Sequence, residues 1–371
     1  MAGLYVHIPF CKSRCIYCGF YSTTLLGRRQ DYVDALCKEM QLRDKPDINT
    51  IYIGGGTPSQ LTECQLRQLF DAMADCYTIA ADAEVTMECN PDDVDTSFAK
   101  ILATLPVNRV SMGIQTFDDQ RLRFLHRRHT ASQAAEAVNH LREAGITNIS
   151  IDLMFAFPEQ TLEEFDDDIT QALALGVEHI SSYGLTIEDG TPLFEMQQRG
   201  KLNVVDEDLY VEMYEKLVER LQKAGYEHYE ISNFALPGFR SRHNSSYWTE
   251  TPYIGLGAAA HSYDHVSRQW NVDDINAYIA AINAGVIPME REMLDKNDRY
   301  NDLITTALRT SWGINLEEVA QQYGTAMSEH LLAQADKWLK SGHLKTTDGC
   351  LRLTRKGIVI SDSIMSELIE I

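Results

Sequence analysis

The chain has 371 residues, enough for one large domain or for a large domain with a smaller one attached. Its residues are 44% hydrophobic and 23% charged, a composition that supports a sizeable core and excludes a disordered tail. The formal net charge of −21 disfavours general binding to nucleic acid. No apolar run reaches the ~18 residues of a membrane span, and the first residues do not form a secretory signal. We therefore expect a soluble cytoplasmic protein without a transmembrane segment.

Six short apolar or β-branched runs recur over the first half of the chain, at residues 4–8, 50–53, 84–88, 109–113, 148–153 and 179–184. Most are separated by helical patterns, at residues 32–42, 62–73, 131–144 and 162–175. Thr62 and Ser132 are suited to begin helices, and Gly145 and Gly176 to end them. Strand–helix units repeated about every 30 residues predict an α/β fold with six βα units, curved into a partial or full barrel. We expect its chemistry on the loops after the carboxyl ends of the strands.

The pattern changes after residue 185. It predicts helices at residues 207–224, 273–284 and 297–309, a strand-like run at residues 226–231, and an irregular stretch rich in glycine and aromatic residues at residues 233–263. We therefore divide the chain into a barrel domain at residues 1–200 and an α+β domain at residues 201–371.

The end of the chain, residues 331–371, has the element order of a winged helix. It predicts a helix near residues 331–341, a hairpin that turns at Asp348-Gly349, and a last helix from Arg355. Six Lys or Arg stand against five Asp or Glu in this segment, a balance that gives DNA little attraction. A packing domain is therefore favoured over a DNA-binding regulator.

Three cysteines lie within eight residues just after the first predicted strand: Cys11, Cys15 and Cys18. A structural zinc site uses four protein ligands, and beyond His7 no further Cys/His pair occurs at ordinary spacing. Three thiolates suit a [4Fe–4S] cluster better, because they leave its fourth iron open for a substrate or cofactor. The other five cysteines are scattered along the chain, and we expect them to be small buried hydrophobic residues rather than a disulfide framework.

Cys-x3-Cys-x2-Cys after the first strand of a βα barrel resembles the radical S-adenosylmethionine (SAM) family. The resemblance implies that the open iron chelates SAM and that the reduced cluster cleaves SAM to a 5′-deoxyadenosyl radical. Tyr17 is similar to the family residue that packs near the adenine. The turn Gly54-Gly55-Gly56-Thr57-Pro58 resembles the loop that binds the SAM amino group, which implies cofactor contacts at Gly55, Gly56 and Thr57.

Further motifs resemble the oxygen-independent coproporphyrinogen III oxidase group of that family, at residues 5–11, 88–91, 113–117, 127–129, 152–153 and 157–158. The resemblance implies that Tyr5 and Glu88 contact the cluster-bound SAM. It implies contacts to a second SAM by three more residues, Gln115, Arg127 and Asp152. Glu88, Gln115 and Asp152 also lie at the ends of predicted strands, where polar side chains face a barrel site. A satisfied polar barrel interior is the alternative interpretation.

Two features depart from the oxidase and match its paralogues, which are heme chaperones. Only ten residues precede Cys11, whereas the oxidase has an N-terminal extension that helps to close its substrate site. Phe20 stands where the oxidase motif has a fourth cysteine. Coproporphyrinogen oxidation is therefore not the expected activity.

The segment His243-Asn244-Ser245-Ser246-Tyr247-Trp248 resembles the heme-binding signature of those chaperones, which implies heme contacts at His243, Asn244, Tyr247 and Trp248. A neutral imidazole is a common axial heme ligand, and flat aromatic rings suit a porphyrin face. Arg240 and Arg242 are placed to pair with the propionates or to be solvated. The alternative is an ordinary aromatic cluster that anchors a loop.

A second glycine-rich turn, at residues 254–262, resembles the family stretch that lines the adenosyl pocket at Ala260 and His261. His261 is also a second candidate heme ligand, ranked below His243. The expected function is to bind heme and deliver it to apo-heme proteins, respiratory enzymes at the membrane in particular, with support or regulation by the cluster and SAM. The rivals are an oxygen-independent coproporphyrinogen III oxidase or another radical tetrapyrrole enzyme, and a DNA-binding regulator.

Overall fold

A computed structural model of the chain describes residues 1–369. Six parallel strands form its centre and pair side by side in chain order. They are β1 (Ala2–Ile8), β2 (Ile48–Gly55), β3 (Ile79–Cys89), β4 (Arg109–Gln115), β5 (Ile149–Phe155) and β6 (His179–Gly184). The expected α/β fold with six βα units is confirmed, and the barrel is partial because the outer edges of β1 and β6 pair with other strands.

Later strands extend this sheet to twelve strands. At one edge β9 runs parallel to β1, and three antiparallel strands follow it; at the other edge β8 and then β7 continue from β6. Their bounds are β7 (Glu227–Glu230), β8 (Asn233–Ala235), β9 (Tyr253–Leu256), β10 (His261–Tyr263), β11 (Ser267–Asn271) and β12 (Met289–Met293). The expectation of an irregular stretch at residues 233–263 was wrong, because strands distant in sequence supply its hydrogen-bond partners. The domain division after residue 200 stays a prediction.

Helices connect the strands: α1 (Arg29–Leu42), α2 (Glu63–Cys76), α3 (Thr96–Ala103), α4 (Asp119–Phe124), α5 (Ala131–Glu143), α6 (Leu162–Leu175), α7 (Pro192–Gln198), α8 (Glu207–Lys223), α9 (Arg242–Trp248) and α10 (Ile275–Asn283). Thr62 begins α2 through a capping box, and Gly176 ends α6 with a φ of 61°. Ser132 does not begin α5. Thr130 does so instead, because its hydroxyl accepts a hydrogen bond from the Gln133 N–H, and the Gln133 side-chain oxygen accepts one from the Thr130 N–H.

A second core lies at the end of the chain, in a module of helices and three short strands. Its elements are α11 (Lys296–Ala307), β13 (Ile314–Asn315), α12 (Leu316–Tyr323), α13 (Thr325–Lys340), β14 (Leu344–Thr347), β15 (Cys350–Leu353), α14 (Arg355–Ile358) and α15 (Ser361–Leu368). The hairpin turns at Asp348 and Gly349, with φ of 53° and 73°, as predicted. The last predicted helix is divided into α14 and α15. No helix in residues 1–369 is long and apolar enough to cross a membrane.

A buried carboxylate, Glu39 of α1, joins the barrel to the strands beyond it. Its Oε2 accepts hydrogen bonds from the Gly257 N–H at 2.8 Å and the Tyr278 hydroxyl at 2.6 Å. Its Oε1 accepts from Asn271 at 2.8 Å and from Arg43 at 2.7 Å. A charge removed from water is stable only when it is paired in this way. This network holds the turn after β9 against α1.

The capping box at the start of α6 gives a measurable contribution to stability. The Thr161 hydroxyl accepts the Glu164 N–H at 3.2 Å, and the Glu164 side chain accepts the Thr161 N–H at 2.8 Å. We expect Thr161→Ala to lower the free energy of unfolding by about 1 kcal/mol, measured from the urea midpoint at an unchanged m value. Thr305→Ala, an exposed site within α11, is the matched control and should change it by less than ~0.5 kcal/mol. Equal effects of the two substitutions would contradict the assignment.

Candidate functional site

The carboxyl ends of the parallel strands carry unusual backbone conformations. Gln115, Ala156 and Ala259 have positive φ of 72°, 59° and 59°, and they lie at or just after the ends of β4, β5 and β9. Residues other than glycine adopt positive φ at a cost in conformational energy, and such residues are concentrated at functional sites. Most of the predicted site residues lie at this same edge of the sheet.

The loop between β1 and α1 carries the clustered cysteines, Cys11, Cys15 and Cys18, all as free thiols. The Cys11 N–H donates to the Thr23 carbonyl at 2.9 Å. The buried Ile16 donates to the Leu125 carbonyl at 3.3 Å and accepts from the Leu193 N–H at 3.0 Å. These bonds fold the loop onto itself at Thr23 and fix it to two other parts of the chain, at Leu125 and Leu193.

Two side chains donate hydrogen bonds to the cysteine sulfurs. The Thr57 hydroxyl lies 3.4 Å from Cys11 Sγ, and Arg127 Nη1 lies 3.7 Å from Cys15 Sγ. Burial raises the pKa of both Cys11 and Cys18, and the Thr57 hydrogen bond opposes this at Cys11. Within residues 1–369 no three His, Cys, Asp or Glu side chains are grouped to hold a metal ion.

The scattered cysteines are less buried than expected. Cys89 is buried, but Cys64, at the start of α2, is exposed, and Cys37, Cys76 and Cys350 are intermediate. The expectation of burial was therefore wrong for Cys64, which lies in the exposed first turn of its helix.

The turn after β2 leaves no room for side chains. A Cβ on Gly56 would lie 2.7 Å from the Pro9 carbonyl carbon, and one on Gly55 would lie 2.5 Å from the His7 ring. The Gly56 N–H donates to the Ile8 carbonyl at 2.8 Å, and Gly55 has a φ of 107°. The glycines therefore let the end of β2 lie directly against the start of the cysteine loop.

Glu88, near the end of β3, has both carboxylate oxygens hydrogen-bonded. Oε1 accepts from the Tyr52 hydroxyl at 2.7 Å, and Oε2 accepts from the Gly55 N–H at 3.0 Å. Burial raises the pKa of Glu88 to about 7, against the lowering effect of these bonds. Burial likewise raises the pKa of Asp152, on β5, to about 6, opposed first by the Ser181 hydroxyl.

Arg109, the first residue of β4, is a cation inside the barrel that the sequence analysis did not single out. Its side chain is buried, and its Nε and Nη1 have no hydrogen-bond partner within the described 1–369. Its charge lowers the pKa of Glu88, Asp152 and His243. An arginine at the start of an otherwise apolar strand was the signal that could have identified it.

Gln115 and Arg127 meet around Gly113. A Cβ on Gly113 would lie 2.6 Å from Gln115 Nε2 and 3.2 Å from Arg127 Nη2, so the glycine makes space for both side chains. Arg127 donates to the Gly113 carbonyl and, at 3.0 Å, to Asn90 Oδ1. Together with its bond to Cys15, these contacts place Arg127 beside the cysteine loop.

Three further predicted residues border this region. The Tyr5 hydroxyl lies 2.9 Å from His7 Nδ1 and its ring stacks on that of Tyr52 at 6.2 Å. Tyr17 packs against a small apolar cluster that includes Leu125. His261 is exposed, and its ring lies 6.1 Å from that of Trp270.

The segment 242–248 is a helix, α9, whose start is fixed by a strand of the barrel. Glu84, buried on β3, accepts the N–H of Arg242 and of His243, each at 2.9 Å. The Ser241 hydroxyl accepts the Asn244 N–H at 3.3 Å. A carboxylate satisfies free amides and complements the helix dipole at this end.

His243 is fully buried and both of its ring nitrogens are engaged. Nδ1 lies 2.8 Å from Thr50 Oγ1, and Nε2 lies 2.8 Å from the Tyr247 hydroxyl. The ring stacks on Tyr52 with centroids 5.2 Å apart and an interplanar angle of 26°. Burial, and then the charge of Arg109, lower its pKa to about 3, so the ring is neutral.

The remaining residues near the motif have partners of their own. Trp248 lies under the Arg309 guanidinium, 5.4 Å from its ring centre. Arg240 Nε donates to Glu227 at 2.9 Å, and Arg242 Nη1 donates to the Asp82 carbonyl at 2.6 Å. The two arginines are therefore paired with acidic segments of this chain.

The structure thus brings the predicted residues together in two groups. One lies at the strand ends, around the cysteine loop and Glu88. The other lies on α9, packed against the amino-terminal halves of β2 and β3. Tyr52 contacts both groups, a role that no local motif indicates because the residue lies inside an ordinary strand pattern.

Comparison with known proteins shows what the whole chain is similar to. The chain matches the Radical SAM superfamily over residues 5–172 and the HemN C-terminal domain over residues 294–360. It is 35% identical to the heme chaperone HemW of Lactococcus lactis subsp. lactis, covering 98% of this chain and 96% of that protein. It is 34% identical to the heme chaperone HemW of Bacillus subtilis, with 98% of each covered.

A solved structure shares the fold. Coproporphyrinogen III oxidase (HemN) from Escherichia coli, a radical SAM enzyme, superimposes with a TM-score of 0.86 over 99% of this chain and 89% of its own. The two sequences are 22% identical, so the likeness shows the fold alone.

The raised pKa of Glu88 makes stability depend on pH in a defined direction. Between pH ~4.5 and ~7 the folded state keeps a proton that the unfolded state has released, so this group lowers the free energy of unfolding as pH rises. We expect Glu88→Gln to become more stable relative to the wild type from pH 5 to 8, by up to ~3 kcal/mol at about 1.4 kcal/mol per pKa unit. Urea unfolding at each pH measures this. Thr305→Ala, which changes no charge, should follow the wild-type slope; a Glu88→Gln curve parallel to both would contradict the assignment.

Proposed function

We propose, because the chain belongs to the HemW family of heme chaperones, that it binds heme and delivers it to apo-heme proteins, with respiratory enzymes as the recipients. One observation carries the proposal. The residues His243, Tyr247 and Trp248 lie on one short helix, α9, and Tyr52 of β2 contacts both His243 and Glu88 of the strand-end group. The helix carries an imidazole and two flat rings, the groups that an iron porphyrin requires, and it would present them to the ligand after a change of position.

The [4Fe–4S] cluster and SAM implied by the radical SAM family suit the strand-end group. Its donor set fits: three free thiols on a fixed loop, with Thr57 and Arg127 donating to two of their sulfurs. Hydrogen bonds of this kind stabilise thiolate ligands and tune an iron–sulfur centre. When bound, the cluster supplies one-electron reduction at its open iron.

We assign the remaining residues of this edge to SAM. Glu88 and the Gly55-Gly56-Thr57 turn would receive its amino group, because an ammonium needs oxygen acceptors. Tyr5, Tyr17, Ala260 and His261 would border its adenosyl part. Gln115, Arg127 and Asp152 would complete the polar surroundings, with Arg127 oriented by Asn90 and Cys15.

Heme coordination by His243 requires α9 to change position, because both ring nitrogens are engaged in the present arrangement. Giving up two ordinary hydrogen bonds costs about 1–3 kcal/mol, which an iron–nitrogen bond can offset. The same bonds re-form when heme leaves and so favour release. His261, already exposed at the strand-end group, is the second candidate ligand.

The cluster assignment predicts a specific loss of iron. Ala substitution at Cys11, Cys15 or Cys18 should abolish the broad iron–sulfur absorbance after anaerobic reconstitution, because each thiolate holds one iron. Cys37→Ala is the matched control and should keep it, since Cys37 lies on α1 beside Gln68. Iron and sulfide analysis measures the outcome. Stoichiometric zinc without iron would contradict the assignment.

The heme assignment predicts different effects for the ring and its aromatic neighbours. His243→Ala should change the heme absorbance spectrum, because an axial bond is directional, whereas Trp248→Ala should mainly weaken affinity through lost apolar contact. His140→Ala is the matched control and should leave the spectrum unchanged. His140 lies on α5, where its Nδ1 is 3.0 Å from the Val94 carbonyl oxygen. If His261→Ala changes the spectrum while His243→Ala does not, His261 is the ligand.

The same preparation separates a chaperone from an enzyme. Heme should leave the wild type faster with an apo-cytochrome than into buffer, and coproporphyrinogen should remain unconverted with reduced cluster and excess SAM. Protoporphyrinogen as a catalytic product would overturn the proposal in favour of the oxidase. Wild-type heme binding in a His243/Tyr247/Trp248 triple Ala variant would overturn the role of α9.

A further inference from the structure

Tyr52 connects the two groups of functional residues. It lies on β2, between Thr50, which bonds His243, and the glycine turn at the strand end. Its hydroxyl donates to Glu88 Oε1 at 2.7 Å, and one face of its ring stacks on His243 at 5.2 Å. The Tyr5 ring stacks on it as well, at 6.2 Å. One side chain therefore touches both the proposed SAM acceptor and the proposed heme ligand.

The strength of the Tyr52–Glu88 bond depends on what else Glu88 holds. A carboxylate that keeps its negative charge is a stronger acceptor for a hydroxyl than a protonated one. A cationic group beside Glu88 favours the charged form. Such a group therefore tightens the hold of Glu88 on the Tyr52 hydroxyl.

The Tyr52 ring lies against His243. We call the arrangement in which His243 keeps both of its hydrogen bonds and its stacking contact the closed arrangement of α9. His243 is bonded to Thr50 and Tyr247, and Tyr52 covers its face. To leave this position, His243 must lose the stacking contact as well as the two hydrogen bonds. When Glu88 holds the Tyr52 hydroxyl firmly, the Tyr52 ring stays stacked on His243. When Glu88 holds it weakly, this stacking contact is lost more easily.

We propose that Tyr52 is a positioning residue through which SAM at Glu88 keeps α9 closed, so that SAM binding and heme binding oppose each other. This inference rests on the proposed function and adds regulation of the heme motif. SAM stabilises the closed arrangement through Glu88 and Tyr52, and heme stabilises an arrangement in which His243 is free. By linkage, heme must weaken SAM binding by the same factor by which SAM weakens heme binding.

The first test contains no heme. SAM is titrated into the anaerobically reconstituted protein, and its effect on the electron paramagnetic resonance spectrum of the cluster gives a dissociation constant. The variants are Tyr52→Phe, His243→Ala and the double variant. We expect each single change to weaken SAM binding about three- to tenfold and the double variant to be no weaker than Tyr52→Phe alone. Strictly multiplicative effects, or no effect of His243→Ala, would overturn the link.

Tyr77→Phe is the matched control. Tyr77 is also a buried tyrosine, and its hydroxyl has no hydrogen-bond partner within residues 1–369. It should leave SAM affinity unchanged. Circular dichroism melting checks that each variant is folded, and Phe at position 52 keeps the ring that packs against Tyr5 and His243.

The second test measures heme affinity with and without saturating SAM. The wild type should bind heme about fivefold more weakly with SAM, within the usual range of coupling between sites, and Tyr52→Phe should reduce this to less than twofold. If the wild type binds heme equally well with and without SAM, the proposed opposition between SAM binding and heme binding is overturned. If the wild type binds no heme at all, the proposed function fails, and the heme-free comparison alone decides whether Tyr52 links Glu88 to His243.

Discussion

The pairing of β1 with β2 on one side and β9 on the other is the constraint on which the site depends. Parallel strands place their carboxyl ends at one edge of a sheet, so the loops that follow three distant segments must meet there. The cysteine loop follows β1, the glycine turn follows β2, and the turn with Ala260 follows β9. Contact between them then demands small residues, which is why Gly56 cannot carry a side chain. The meeting of these three loops at one edge of the sheet is therefore a consequence of strand order before any side chain contributes.

Much of this arrangement could be predicted from the sequence. The βα repeat identified the parallel barrel because buried parallel strands give strong apolar runs between capped helices. The short strands β9 to β12 were missed because their sequences carry little apolar alternation and they form only where β1 offers a partner. Local motifs identified the candidate residues of the site, since cysteine spacing and glycine turns are local features. Contacts that join distant segments, such as Glu84 with α9, leave no such pattern.

The barrel interior is unusually rich in polar groups for a protein core. Glu84, Glu88, Arg109, Asp152 and His243 lie in it together, and burial moves the pKa of three of them, Glu88, Asp152 and His243, toward the neutral form. Arg109 opposes that shift at the carboxyls and reinforces it at the histidine. A single buried cation therefore opposes protonation of both the acids and the imidazole, and an ionised acid and a neutral imidazole are the states that a cationic ligand and a metal, respectively, require.

The bonds from Glu84 to the first turn of α9 determine how that helix can move. They anchor its amino-terminal end to β3, while its other end leads to Glu250, whose φ is 52°. These bonds make the amino-terminal end of α9 the held end of the helix. His243 lies at that held end and Trp248 at the far end of the helix, so a tilt about the held end moves the indole farther than the imidazole. Such a tilt would keep the Glu84 bonds, whereas freeing the His243 ring would also break its bonds to Thr50 and Tyr247.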